Sequence, residues 1–404
     1  MSGERRNLWA GRSLAFVGLI LVAANLRTAV AALSPVYDAI DADLHGGAVG
    51  LGVLGMLPPL CFAVFGLITP SLARRFPLEE LLVGLLAVML VGHALRGFAW
   101  SFGSLLGGSI LCFAAIGAGN VLLPAVVKKY FSDRLGQMTA VYTTVLSIST
   151  FVPPLVAVPM AQAVSWQFSI GVWGMLAVLG LVPWVVRAAI DRRLARNDPG
   201  IAELGDVAAK RVSRSRTVWA LAVTFASSSS VAYTSFALLP QILTDVAGVA
   251  PAVGGVLLSL FGFLGLPAAI IMPQLATRVR RPAGLVWLGS VFILSGATGL
   301  LLVPHSMTWL WVALLGAGPL WFPLALTLIN LRSRSHQTVI AVSGFVQGCG
   351  YVIAALFPVL ISGLHALTGG WTIPIMVLGL LALPPVWAGW VIGARRMIDD
   401  ELTR

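Results

Sequence analysis

Twelve times along this chain a run of about twenty apolar residues, nearly free of charge, is followed by a connection, and that repetition constrains the fold more than anything else. With 58% hydrophobic and 10% charged side chains in 404 residues, and a mean hydropathy of +0.94, the chain has too much apolar surface for a water-soluble core. About 20 apolar residues cross a bilayer as a helix. The pattern therefore predicts an all-α membrane protein with transmembrane helices near 13–34, 48–71, 80–98, 103–126, 137–159, 168–188, 217–240, 252–273, 283–303, 307–329, 338–363 and 372–393.

The placement of charge orients these spans, because cytoplasmic loops carry the excess of Lys and Arg. Of the 26 basic residues, 24 lie before span 1, in the even-numbered connections or after span 12. The odd-numbered connections hold no Lys or Arg but do hold Asp38, Asp41, Asp43 and Asp245. Both termini are thus expected in the cytoplasm. The net charge of +11 is spread over every inner loop, which argues against nucleic acid as a partner. Span 1 is long and has a polar centre, so it is expected to be a retained helix and not a cleaved signal. Cys61, Cys112 and Cys349 fall inside spans, without disulfide or metal-ligand spacing. No phosphate-cradling Gly-rich loop, His-Glu-x-x-His site or Gly-x-Ser-x-Gly turn is present. No cofactor, no metal and no enzymatic activity are implied.

Laid over itself at about half its length, the chain matches itself four times in the same order. Leu33-Ser34-Pro35 pairs with Leu238-Leu239-Pro240, and Ala48-Val49-Gly50 with Ala252-Val253-Gly254. Pro70 to Arg75 pairs with Pro273 to Arg278, and Gly117-Ala118-Gly119 with Gly316-Ala317-Gly318. Six spans plus six in the same orientation give two pseudo-symmetric six-helix bundles related by an axis along the membrane normal, the major facilitator arrangement. The expected division is residues 1–186 for the first bundle, 187–216 for a cytoplasmic linker with a turn at Asp198-Pro199-Gly200, and 217–404 for the second bundle. Pro58-Pro59 and Pro153-Pro154 are expected to bend spans 2 and 5.

Only Arg27 and Arg96 break the charge rule. Arg27 sits near the middle of span 1, and the apolar stretches offer no Asp or Glu to neutralise it. An arginine there costs about 2.5 to 3.5 kcal/mol on insertion scales, so it calls for an ion, a solute or a fixed partner. Together with Asn25 it makes a polar centre suited to a small anion, guanidinium offering a fixed charge and five donors. The competing reading is a clamp on helix carbonyls. In the self-match Ser230 falls opposite Asn25 and Ala232 opposite Arg27, so the cation belongs to one half only, while span 7 offers a run of hydroxyls that includes Ser230 and Tyr233. Asn120, Tyr142 with Thr143, and Gln347 with Tyr351 are further candidates, each weighed against an ordinary interhelical hydrogen bond. His93 is a candidate proton relay, weighed against a packing histidine. Arg96, three residues on, is expected to snorkel to the outer interface.

Several of these residues also resemble a known family. Ala24-Asn25-Leu26-Arg27, Gly119-Asn120-Val121-Leu122-Leu123-Pro124, Phe322-Pro323 through Arg334, and Ser343-Gly344-Phe345-Val346-Gln347 with Gly350-Tyr351 are together similar to the cyanate and nitroimidazole transporter family of the major facilitator superfamily. Thr28 departs from it, standing where members often have proline. The resemblance implies a secondary or facilitative transporter of small solutes in a bacterial inner membrane, working by alternating access. The leading expectation is movement of a small anionic or polar, cyanate-like solute held by Asn25, Arg27, Asn120, Tyr142, Ser230, Tyr233, Gln347 and Tyr351. Efflux of nitroaromatic or drug-like compounds and a non-transporting solute sensor are the alternatives. The expected partners are the solute, a coupling proton handled by His93, Asp38 or the solute itself, and the lipid bilayer; the expected state is a monomer.

Overall fold

In lipid every backbone N–H and C=O has to be satisfied within the protein, which leaves an apolar chain of this kind the helix as its spanning element. The computed structural model describes residues 12–197, 212–394 and 396–402, and among them twelve helices are long and apolar enough to cross a membrane. Spans 1 to 5 are Ser13–Ala31, Gly47–Leu72, Leu78–Gly97, Phe102–Tyr130 and Leu135–Ala163. Span 6 comprises Trp166–Gly171 and Gly174–Asn197, and span 7 is Arg216–Ala247. Span 8 is divided into Pro251–Phe263 and Gly265–Arg278, and span 9 is Ala283–Leu302. Span 10 runs as Thr308–Ala317 and Trp321–Arg332 around a 3-10 turn, span 11 is His336–Thr368, and span 12 is Thr372–Leu380 with Leu383–Gly393. Both ends of the described chain lie on one membrane face, called here the terminal face.

Several helices outrun their apolar stretches. Span 6 continues to Asn197 with Arg187 and Asp191 paired at 2.8 Å one turn apart, so its end enters the segment expected to be linker. The Asp198-Pro199-Gly200 turn lies outside the described residues, as does the side chain of Asp38. Hydropathy marks the part of a helix that lipid surrounds, not the part that hydrogen bonds and ion pairs carry into the headgroups. Span 3 likewise starts at Leu78 and brings Glu79 and Glu80 into its first turn, correcting the expectation that the spans hold no carboxylate. Glu79 is buried between Lys129, at 3.2 Å, and the Tyr130 hydroxyl. The helices run unbroken through Pro58-Pro59 and Pro153-Pro154, whereas the interruptions fall at Val172-Trp173, at Leu264, at Gly318-Pro319 and before Pro384-Pro385.

Two six-helix bundles result. In the first, span 1 packs on spans 4, 5 and 6, and span 4 on spans 2 and 3; in the second, span 7 packs on spans 8, 11 and 12, and span 9 on spans 10 and 12. The internal symmetry reaches details that the sequence match passes over. Trp166 Nε1 donates to Asp43 at 3.0 Å in the first bundle, and Trp371 Nε1 donates to Asp245 at 2.7 Å in the second. Each clasp ties the last span of its bundle to the far end of the bundle's first span, at Asp245 in the last turn of span 7 and at Asp43 in the short helix after span 1.

The bundles meet chiefly through spans 2 and 11 and through spans 5 and 8. The contact is concentrated toward the terminal face. Lys128 Nζ donates to the Asn330 carbonyl at 3.1 Å, and a Cβ on Gly136 would lie 2.9 Å from the Pro273 carbonyl oxygen. A Cβ on Gly344 would meet Pro70 and, at 2.7 Å, the Gly66 carbonyl oxygen. Trp321–Arg332, the terminal-face half of span 10, packs on spans 4 and 5, and Gly265–Arg278 of span 8 packs on span 5. Their opposite-face halves, Thr308–Ala317 and Pro251–Phe263, make their main contacts within their own bundle. The interruptions in spans 8 and 10 thus separate a half that packs across the bundle junction from one that packs within its own bundle.

Candidate functional site

Span 1 buries Leu19, Val22, Ala23, Asn25, Leu26 and Ala29 against its own bundle and leaves Ile20, Ala24, Arg27 and Ala31 half-buried along the other side. Arg27 is therefore turned away from the interior of its bundle. Asn25, two residues earlier and about 200° around the helix, is turned into it. Asn25 Nδ2 donates to the Leu21 carbonyl at 2.8 Å, its Oδ1 has no partner, and Thr28 Oγ1 donates to the Asn25 carbonyl at 3.2 Å. The expected polar centre is thus split between two faces of one helix.

The Arg27 guanidinium meets no carboxylate among the described residues. Its Nη1 donates to the carbonyl of Leu26 at 3.2 Å, a backbone group already committed to the helix. Its central carbon stands 5.9 Å from the centroid of the Phe322 ring in the second bundle, and the guanidinium approaches the Tyr351 hydroxyl. That hydroxyl is buried and makes no hydrogen bond of good geometry. The Tyr351 ring is wedged against Phe62 at 5.3 Å, Phe225 at 5.1 Å and Tyr233 at 6.3 Å, and Phe225 in turn lies 5.5 Å from Phe322. One cation from span 1 thus faces an aromatic group assembled by spans 2, 7, 10 and 11, where ring quadrupoles favour positive charge.

One turn before Tyr351, Gln347 crosses between bundles, donating from Nε2 to the Asn120 carbonyl at 2.9 Å. This leaves Gln347 Oε1 and Asn120 Nδ2 buried without partners. Tyr142 Oη and Ser230 Oγ are also buried and unpartnered, and Thr143 bonds across to the Ala269 carbonyl at 2.9 Å. Buried polar groups are nearly always satisfied by protein, water or ligand, and Asn25, Asn120, Tyr142, Ser230, Gln347 and Tyr351 each carry such an orphan, as do His93 and Arg96 inside the first bundle. Of the other span 7 hydroxyls, Thr224 donates to the Ala220 carbonyl at 2.8 Å and Ser228 to the Pro319 carbonyl at 3.1 Å, whereas Thr234 and Ser235 are buried without partners.

His93 is seated elsewhere. Its Nδ1 bonds the Ile170 carbonyl at 3.0 Å inside the first bundle, and nothing brings it to the Arg27 group. Arg96 corrects its expectation: it is fully buried, donating from Nη1 to the Ala29 carbonyl at 2.9 Å instead of reaching the interface. Counting residues along span 3 sets it near the end of the helix but does not give its side, and that side faces span 1. Phe62, Phe225 and Phe322 were missed, because a phenylalanine facing a cavity and one facing lipid look alike in hydropathy.

Two bundles of six helices, closed together at one face around a central polar group, define the class of twelve-helix membrane transporters. The chain matches the Major Facilitator Superfamily over residues 16–358, and it belongs to that superfamily. It is a transporter of small solutes. It is 33% identical to the uncharacterized transporter YycB of Bacillus subtilis (strain 168), over 89% of each chain. It is 27% identical to the 2-nitroimidazole transporter of Escherichia coli (strain K12), covering 92% of this chain and 93% of the relative. It is 23% identical to the cyanate transport protein CynX of the same organism, covering 87% and 90% respectively. The proton:xylose symporter XylE, solved with 6-bromo-6-deoxy-D-glucose, superimposes with a TM-score of 0.72 over 98% of each chain at 11% identity, a likeness of fold alone.

Proposed function

We propose that the protein moves a small, planar or linear anionic or polar solute by alternating access, with Arg27 as the group that orients it. The observation that carries this is a half-buried guanidinium with no carboxylate, set where the two bundles meet and facing aromatic rings of the opposite bundle. In a low-dielectric site an unneutralised cation attracts a negative or strongly polar group far more than it would in water. Tyr351, Gln347 and Asn120 supply uncommitted donors and acceptors within the same junction, and Ser230 of span 7 adds a buried, unpartnered hydroxyl to the second bundle.

The terminal face is read as cytoplasmic, from its Lys and Arg content. On that orientation the described state is closed toward the cytoplasm and open outward in a bacterial inner membrane. Residues 1–186 and 217–404 act as the two rocking units, joined through 187–216. The aromatic lining favours a second solute class on the same site. A nitro group offers two acceptor oxygens to guanidinium while its ring stacks on Phe322 and Tyr351, and a nitroimidazole transporter is among the relatives.

Right-side-out vesicles loaded with unlabelled solute and given labelled cyanate or 2-nitroimidazole test the reading. Counterflow of at least one solute is expected, abolished in Arg27→Ala and partly kept in Arg27→Lys. Full transport in both variants overturns the role of Arg27.

A further inference from the structure

Arg96 is the second intramembrane cation, and its burial demands a reason. It is 0% exposed and has no carboxylate partner among the described residues; it faces the Phe113 ring at 5.9 Å, with the Cys112 thiol beside it, and among those residues its Nε and Nη2 have no hydrogen-bond partner. The cost of placing an arginine within a span is kept only where the residue has a fixed task. Snorkelling is excluded by its burial. Proton carriage is excluded because guanidinium stays charged in proteins.

The one strong bond it makes is to the end of span 1. Ala29 lies in the last turn of Ser13–Ala31, and the N–H of Leu33, four residues on, turns to the Val30 carbonyl at 3.3 Å instead. The Ala29 carbonyl is thus one of the orphan acceptors at a helix C-terminus. A guanidinium there satisfies it and complements the negative end of the helix dipole. We propose that Arg96 is a positioning residue for Arg27: by gripping the Ala29 carbonyl it fixes the rotation and end of span 1, and so holds Arg27 turned toward the opposite bundle. Ala29 is on the buried face and Arg27 two residues earlier is on the half-buried one, so a grip on the first sets the direction of the second. This rests on the reading of Arg27 as the solute-orienting group.

Two further observations support the assignment. Gly108 makes room for the Arg96 stem, since a Cβ there would lie 2.9 Å from Arg96 Cγ. The packing of Gly92 on Gly108 and Cys112 is matched in the second bundle by Gly296 on Trp311 and Leu315, which puts Leu300, also buried, in the place of Arg96. The bundle that lacks a counterpart of Arg27 also lacks one of Arg96.

The test reads the face of span 1 directly. Single cysteines are placed at Ala24, Asn25, Ala29 and Ala31 and reacted with a small charged methanethiosulfonate, with the otherwise unmodified chain as blank for Cys61, Cys112 and Cys349. With Arg96 present, positions 24 and 31 are expected to react about tenfold faster than 25 and 29, the contrast between a half-buried and a buried helix face. In Arg96→Gln and Arg96→Met the contrast is expected to collapse to within about threefold, with Arg96→Lys restoring part of it, since loss of a charged hydrogen bond is worth about a factor of ten. Transport of cyanate or 2-nitroimidazole is expected to show KM raised about tenfold with the saturating rate less affected. An unchanged labelling contrast in a folded Arg96→Gln protein overturns the proposal. If the contrast collapses while Arg27→Ala still transports normally, Arg96 keeps its grip on span 1 and the solute role of Arg27 fails instead.

Discussion

Lys128 Nζ reaches from span 4 across the bundle junction to the Asn330 carbonyl, 3.1 Å away in the last full turn of span 10. The carbonyl belongs to a helix C-terminus, where a cation is favoured. Asp399, on the helix Ile398–Leu402, adds its charge near the same lysine and accepts from Thr338 Oγ1 at 2.8 Å. Lys128 is therefore a latch between bundles at the terminal face. A hydrogen bond to a charged group contributes about 1.5 to 3 kcal/mol, and each 1.4 kcal/mol is about tenfold in a population ratio. Lys128→Met is expected to raise the population open at the terminal face by tenfold or more. Spin labels at Ser132→Cys and Arg281→Cys, both exposed on that face, would report it as a new long-distance component in double electron–electron resonance. An unaltered distance distribution refutes the latch.

Gly344 makes the same closure sterically possible. Its missing Cβ would run into Pro70 and the Gly66 carbonyl oxygen, a backbone atom that cannot swing aside. Overpacking of this kind costs about 1 to 3 kcal/mol where the structure cannot relax. Here it can, by parting the bundles. Gly344→Ala is expected to lengthen the same label distance and slow transport, whereas Gly363→Ala, in the same helix with nothing near its would-be Cβ, is expected to leave both unchanged.

The contrast between these two glycines shows what the sequence could convey. Glycine count, span number and the two-bundle repeat were legible because lipid forces helices and charge orders their ends. Which glycine touches a neighbouring backbone depends on the rotation of each helix, and span 2 has almost no periodic contrast by which to read it. The same blindness explains Arg96, whose place near the end of span 3 was legible and whose facing was not. It also explains Asn25 and Arg27, neighbours in sequence that turn to opposite sides of span 1. The polar candidates at the junction were accessible because a buried amide or hydroxyl in a span is rare enough to notice. Phe62, Phe225 and Phe322 were not, since nothing in an apolar helix marks an aromatic ring as facing a cation.

The helix Ile398–Leu402 gives a pH prediction outside the membrane. Glu401 accepts from Ser215 Oγ at 2.6 Å, from Thr217 Oγ1 at 2.7 Å and from the Thr217 N–H at 3.2 Å. Burial works to raise its pKa, but these bonds and the charge of Arg396 outweigh it and hold the carboxyl below its ordinary 4.5. A lowered native pKa means that the unfolded chain binds the proton more readily, so the stabilisation is present above 4.5 and is lost as pH falls through the lowered value. Glu401→Gln is expected to melt at lower temperature than the parent at pH 7, with the gap closing on acidification below 4.5. A gap independent of pH would rule out the carboxylate as its source.

Tyr351 and Tyr142 separate a hydroxyl with a task from one without. Both rings are buried and both hydroxyls lack partners, but only Tyr351 has a guanidinium in front of it. Removing an unsatisfied buried hydroxyl while keeping the ring relieves a desolvation penalty of about 1 to 3 kcal/mol, so both Tyr→Phe variants are expected to be at least as stable as the parent. Their effects on the solute should differ. Tyr351→Phe keeps its packing on Phe62 and Phe225 and loses the hydroxyl beside Arg27, so the ligand-induced rise in melting temperature is expected to shrink as affinity falls about tenfold. Tyr142→Phe tests whether the site extends to span 5. If it lowers ligand-induced stabilisation as much as Tyr351→Phe does, the orphan hydroxyl of Tyr142 belongs to the same solute cavity; if it raises the melting temperature and leaves the ligand effect untouched, that hydroxyl is a packing residue and the solute is held on the Arg27 side alone.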